Sequence, residues 1–162
     1  MKYLFSIKML FLVISIITVQ IFIPVIKVDG LIIIPDILII FLLYIGYYYG
    51  RFEATIIGFL FGITQDLLTQ FELIGVMSFI KSFIGYCLGT LTLYYSIWSR
   101  KFCMLYIFII FFLHFYLYQF IRLNDISISI LLFMEIIFIQ TIISFTIFLI
   151  IDKYIIRNGI SK

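Results

Sequence analysis

Residues 128–151 read ISILLFMEIIFIQTIISFTIFLII, a run of 24 residues with a single charge, Glu135. An α-helix rises about 1.5 Å per residue and a bilayer's hydrocarbon core is about 30 Å thick, so about 20 apolar residues cross it. This run is long enough. A membrane β-strand would instead alternate apolar and polar residues over about 10 positions, and the run is apolar without alternation. It reads as a transmembrane helix.

Outward from this run, apolar stretches between short polar breaks give six spans, at 5–26, 31–49, 52–69, 73–95, 102–121 and 128–151. The breaks are as short as Gly50-Arg51, so successive helices are antiparallel neighbours. The chain of 162 residues is 65% hydrophobic, 20% aromatic and 12% charged, with a mean hydropathy of +1.30. A soluble domain carries about 25% charged residues, twice the share found here. Six spans take up about 120 residues and leave about 40 for turns and tails. These figures exclude a soluble enzyme and a folded extramembrane domain, and they predict a single all-α transmembrane domain over 1–162. No small-x-small site closes the first apolar run, so the N-terminal stretch reads as a retained helix and not as a cleaved leader.

The basic residues orient the bundle. With the N-terminus inside, Lys2, Lys8, Arg51, Arg100, Lys101, Lys153, Arg157 and Lys162 lie on the cytoplasmic side, against Lys27 and Arg122 outside. That asymmetry follows the positive-inside rule and requires an even number of spans, with both termini cytoplasmic. The net charge of +3 and the lack of a basic run exclude nucleic acid as a partner. Cys87 and Cys103 have no metal-ligand spacing and read as small apolar residues, so neither metal nor cofactor is expected.

Two sets of residues stand out within the spans. Six glycines form three pairs at four-residue spacing: Gly46/Gly50, Gly58/Gly62 and Gly85/Gly89. Small residues let helix backbones approach closely in lipid, where no hydrophobic force drives helices together. The plain reading of each pair is helix packing. The second set is the titratable residues Asp36, Asp66, Lys81, His114 and Glu135, all within about eight residues, or about 12 Å, of the outer end of their helix. Charges in hydrocarbon normally face the bundle interior and are paired, so five in one half suggest a polar cluster or an outward-facing cleft. Asp36 and Asp66 also suit the interface, Lys81 can snorkel outward, and His114 suits helix packing. Glu135 has only Met134, Ile136, Ile137 and Phe138 beside it. Depth along the helices favours a Lys81–Glu135 pair, with Asp66 supporting. Gly58, Gly62 and Asp66 share one face of the third span, and Lys81, Gly85 and Gly89 one face of the fourth. Those two faces are expected to pack together.

The ordered set Pro35-Asp36-Ile37-Leu38, Gly58-x3-Gly62-x3-Asp66-Leu67-Leu68, Leu73-Ile74-Gly75 and Gly85-Tyr86-x2-Gly89 resembles the rod shape-determining MreD family. The resemblance carries over Pro35, Asp36, Gly58, Gly62, Asp66 and Gly75 as family positions, none of them catalytic. The chain departs from most relatives in its wealth of Phe, Tyr and Ile, and the family's spans have been read as five or six. The resemblance implies a non-catalytic inner-membrane component of the cell-elongation machinery. Its implied partners are the bitopic MreC and, through it, the actin-like MreB filament, RodA and a class B penicillin-binding transpeptidase; the lipid bilayer is a further partner, and a homodimer is left open. The family in turn resembles the six-helix substrate-binding subunits of energy-coupling-factor vitamin transporters, the main competing function. Those subunits typically offer an Ala-x3-Ala surface on the first helix, and residues 5–26 contain no alanine. An enzyme, the third hypothesis, has one histidine and no nucleophile–base set to draw on.

Overall fold

A computed structural model describes residues 7–22, 26–28, 31–33, 35–69, 74–122, 129–154 and 160. In chain order these form α1 (Ile7–Phe22), β1 (Ile26–Val28), β2 (Leu31–Ile33), α2 (Ile37–Tyr49), α3 (Arg51–Thr69), α4 (Val76–Leu88), α5 (Thr90–Tyr94), α6 (Arg100–Arg122) and α7 (Ile130–Tyr154). Three helical segments, Val76–Tyr94, Arg100–Arg122 and Ile130–Lys153, are long and apolar enough to cross a membrane, and Ile37–Tyr49 is a shorter apolar helix. Helix is found at each of the six stretches read from the sequence, with α4 and α5 sharing the fourth.

The bounds of the second span need one correction. Residues 31–33, placed at the start of the second span, pair instead with β1 in a two-stranded antiparallel hairpin, Ile26 opposite Ile33 and Val28 opposite Leu31. The sequence supplies both causes. Asp29-Gly30 is a hairpin-turn dipeptide between two β-branched runs. A helix running on from Leu31 would also carry Pro35 inside it, where the ring clashes with the preceding turn. Helix α2 therefore begins at Ile37, with Asp36 as its N-cap.

Chain contacts divide the protein into two compact units, Met1–Pro24 with Asp36–Tyr94, and Val25–Pro35 with Tyr95–Lys162. In the first, α2 and α3 are separated by Gly50 alone, whose φ of 106° lies in the left-handed region. That conformation suits glycine and turns the chain within one residue. Helix α2 is buried along nearly its whole length, from Leu38 to Gly46 with one half-buried residue, Phe41. From α5, the Thr92 hydroxyl donates to the Gly46 carbonyl and, at 3.1 Å, to that of Tyr47. The Arg51 guanidinium lies 5.2 Å from the centre of the Tyr86 ring.

In the second unit, α6 and α7 form an antiparallel pair joined by aromatic contacts. Ring centres of Phe111 and Phe148 lie 6.2 Å apart, Phe108 and Phe145 5.3 Å, and Phe112 and Phe138 5.2 Å. Edge-on geometries such as the 90° of Phe108–Phe145 suit the ring quadrupoles. Ile160 is held by its N–H donating to Asp152 at 2.7 Å and by Tyr95 donating to its carbonyl at 3.1 Å.

Candidate functional site

The polar site of the first unit is built on the N-termini of α2 and α4. The leading amides of a helix have no intrahelical acceptor, and in hydrocarbon no water replaces it. At α2, Leu38 N–H donates to Asp36 Oδ1 at 3.0 Å and Ile37 N–H donates to Gln20 Oε1 of α1 at 2.8 Å. Buried Pro35, just upstream, adds no N–H that would itself need a partner.

Helix α4 is capped from another helix. Its N-cap is Gly75, held at φ 100° and without a side chain to offer. The acceptor comes from the end of α3: Asp66 Oδ2 accepts from Gly75 N–H at 2.9 Å, from Ser78 N–H at 3.2 Å and from the Ser78 hydroxyl at 3.1 Å. Asp66 Oδ1 accepts from Met77 N–H at 3.1 Å. One carboxylate thus satisfies three backbone donors and one hydroxyl, which ties the end of α3 to the start of α4.

Lys81, one turn deeper in α4, completes the site. Its Nζ lies 2.7 Å from Asp36 Oδ2 and donates to Oδ1 at 2.9 Å, with side chains 0% and 5% exposed. Asp66 acts on the same ammonium through space. One cation and two carboxylates leave one formal negative charge. Each helix N-terminus carries about half a positive charge, so the two together offset it. The knot is electrically closed and fully buried, with Asp36, Asp66 and Lys81 turned toward one another and toward backbone.

The site rests on a seam between α3 and α4 where backbones approach too closely for a side chain. A Cβ on Gly58 would enter the Lys81 carbonyl, one on Gly62 the backbone of Met77 and Ser78, one on Gly85 the carbonyl of Ala54, and one on Gly89 the backbone of Arg51. Residue numbers rise on α3 as they fall on α4, so the helices are antiparallel, and the chain's single alanine, Ala54, extends the seam. Gly46 of α2 joins it at the far end, where a Cβ would lie 2.9 Å from Gly89 N. Close approach here brings Asp66 within reach of α4's first amides.

The depth argument that paired Lys81 with Glu135 is overturned. The partner of Lys81 is Asp36, and Glu135 is an exposed residue of α7. Counting depth along each helix missed this because Asp36 caps α2, and α2 packs beside α4. His114, on α6, is buried with its ring 5.0 Å from that of Phe115. Sequence reading also passed over four polar side chains. Gln20 and Ser78 complete the two caps, and in the second unit Gln119 Nε2 donates to Gln140 Oε1 at 3.0 Å between α6 and α7. An amide within an apolar span was the available signal for the glutamines, because an amide in lipid needs a partner.

Long apolar helices, tight turns and charges consumed inside the bundle define a multi-pass helical membrane protein whose polar groups hold helices together. The family model described as rod shape-determining protein MreD matches residues 1–157, and the chain belongs to that family. No curated protein and no solved structure matches it.

Proposed function

We propose that the chain is a non-catalytic membrane subunit of the bacterial cell-elongation (rod) complex, which regulates cell shape and positions peptidoglycan synthesis through an MreC-like bitopic protein. Through that partner it reaches the MreB filament, RodA and a class B penicillin-binding transpeptidase. The family match over nearly the whole chain carries this reading. The knot supports it: Asp36, Asp66 and Lys81 are spent on capping and pairing, as suits a rigid scaffold. The distribution of Lys and Arg supports an inner-membrane bundle with both termini in the cytoplasm.

A vitamin-binding subunit on the six-helix transporter plan would need polar groups open to a ligand. The burial of these three side chains favours the scaffold instead. Depletion tests the choice. Rod-shaped cells should become round while the isolated glycan-polymerising and cross-linking steps keep their rates, and the detergent-solubilised chain should pull down an MreC-like protein. Normal shape with lost vitamin uptake, or capture of ATPase subunits, would overturn the proposal.

A further inference from the structure

The α3–α4 seam has no unique register by size alone. In the structure Ala54 faces Gly85, Gly58 faces the Lys81–Ser82 backbone and Gly62 faces Ser78. Moving α4 by four residues would place Gly58 against Gly85, Ala54 against Gly89 and Gly62 against Ser82, again small residue on small residue. Four residues are a step of about 6 Å. The six residues joining α3 to α4 can reach about 20 Å when extended, so the connection does not forbid the step. Four-residue repetition on both faces makes close packing possible at more than one setting.

The charges do not repeat. A step of about 6 Å would draw Lys81 away from Asp36, and would slide the Gly75, Met77 and Ser78 donors past Asp66, leaving buried groups unmatched. Helix α2, which carries Asp36, is joined to α3 through Gly50 alone, so it stays with α3 and cannot follow α4 freely. We infer that the Asp36–Lys81 pair and the Asp66 cap select the register of the glycine seam, which fixes how far α4 stands along α3. Buried polar groups that choose one alignment among several apolar ones act in this way in helical coiled coils.

Spin labels on two exposed positions test this, Phe52→Cys on α3 and Phe79→Cys on α4, 73% and 68% exposed, with Cys87→Ser and Cys103→Ser as background. Double electron–electron resonance on the purified full chain in nanodiscs should give one narrow distance with the knot intact. In Asp36→Asn/Lys81→Met, which keeps a cap acceptor on α2, helix content by circular dichroism should persist. A second distance should then appear, displaced by up to about 6 Å. Adding Asp66→Ala should increase its share. A single unchanged distance in both variants overturns the inference. Loss of helix content in the double variant overturns it as well, because the pair would then hold the helices together and not choose between alignments.

Discussion

At the scale of single residues, the first unit is governed by what a charge costs when lipid surrounds the protein. Lys81 and Asp36 are each tolerable only because the other is there. Removing one partner of a buried pair costs about 3–5 kcal/mol, whereas replacing both can be nearly neutral. Lys81→Met and Asp36→Ala should therefore each lower the thermal midpoint of the detergent-solubilised protein sharply. Asp36→Asn/Lys81→Met should recover most of the loss, and additive damage in the double would show that the pair is not energetically coupled. Asp66 is a different case, since its bonds go to backbone. Asp66→Ala should cost about 1–3 kcal/mol by orphaning the α4 amides, with Asp66→Asn milder because one acceptor oxygen remains. Chemical denaturation with a helix-content readout distinguishes them. Equal effects of the two substitutions would mean that charge, and not capping, is what Asp66 supplies.

Among the elements, α3 and α4 form the tightest pair in the first unit, and the reason is volume. Gly62→Ala places a methyl group into the backbone of Met77 and Ser78. Overpacking of this kind costs about 1–3 kcal/mol and would push the helices apart. The same substitution at Gly75 meets open space, so its penalty comes from the left-handed backbone alone, about 1–2 kcal/mol. A thermal-shift series of Gly58→Ala, Gly62→Ala, Gly85→Ala and Gly75→Ala should thus show two classes. Trimming a facing side chain, such as Ser78→Gly beside Gly62→Ala, should not restore the midpoint, because the added methyl meets backbone atoms. If Gly62→Ala leaves the midpoint unchanged, the backbones are not in contact.

On the scale of the whole molecule, the testable property is topology. The eight-to-two partition of Lys and Arg predicts that position 159 is cytoplasmic and position 125 faces out. Cysteines introduced there by Gly159→Cys and Asp125→Cys should react differently with a membrane-impermeant maleimide. Only the second should be labelled in intact cells, and labelling at 159 from outside refutes the orientation. Helix α2, which is short, and the α4–α5 segment both need their polar ends satisfied within the protein to be stable in a bilayer. The knot does that for both. Its loss should therefore be felt in the amount of chain retained in the membrane as well as in cell shape, measurable by immunoblot of the membrane fraction.

The sequence determined what depends on local composition. Length and apolarity fixed where helices form, because burying about 20 apolar residues in lipid outweighs local propensity. Four-residue glycine spacing marked the faces that lie together, since helix periodicity is a local property. The hairpin was legible in part, through Asp29-Gly30 and Pro35, but continuous hydropathy across 31–49 masked it. Only the tertiary structure decided which charges meet. Asp36 and Lys81 lie 45 residues apart on helices that are not consecutive, and depth along each helix says nothing of which helices stand side by side. The same holds for Asp66, whose partners are amides that exist as free donors only once α4 starts after its N-cap Gly75. Pairing in a membrane bundle is a property of helix adjacency and rotation, and those are fixed when the backbones close on the seam.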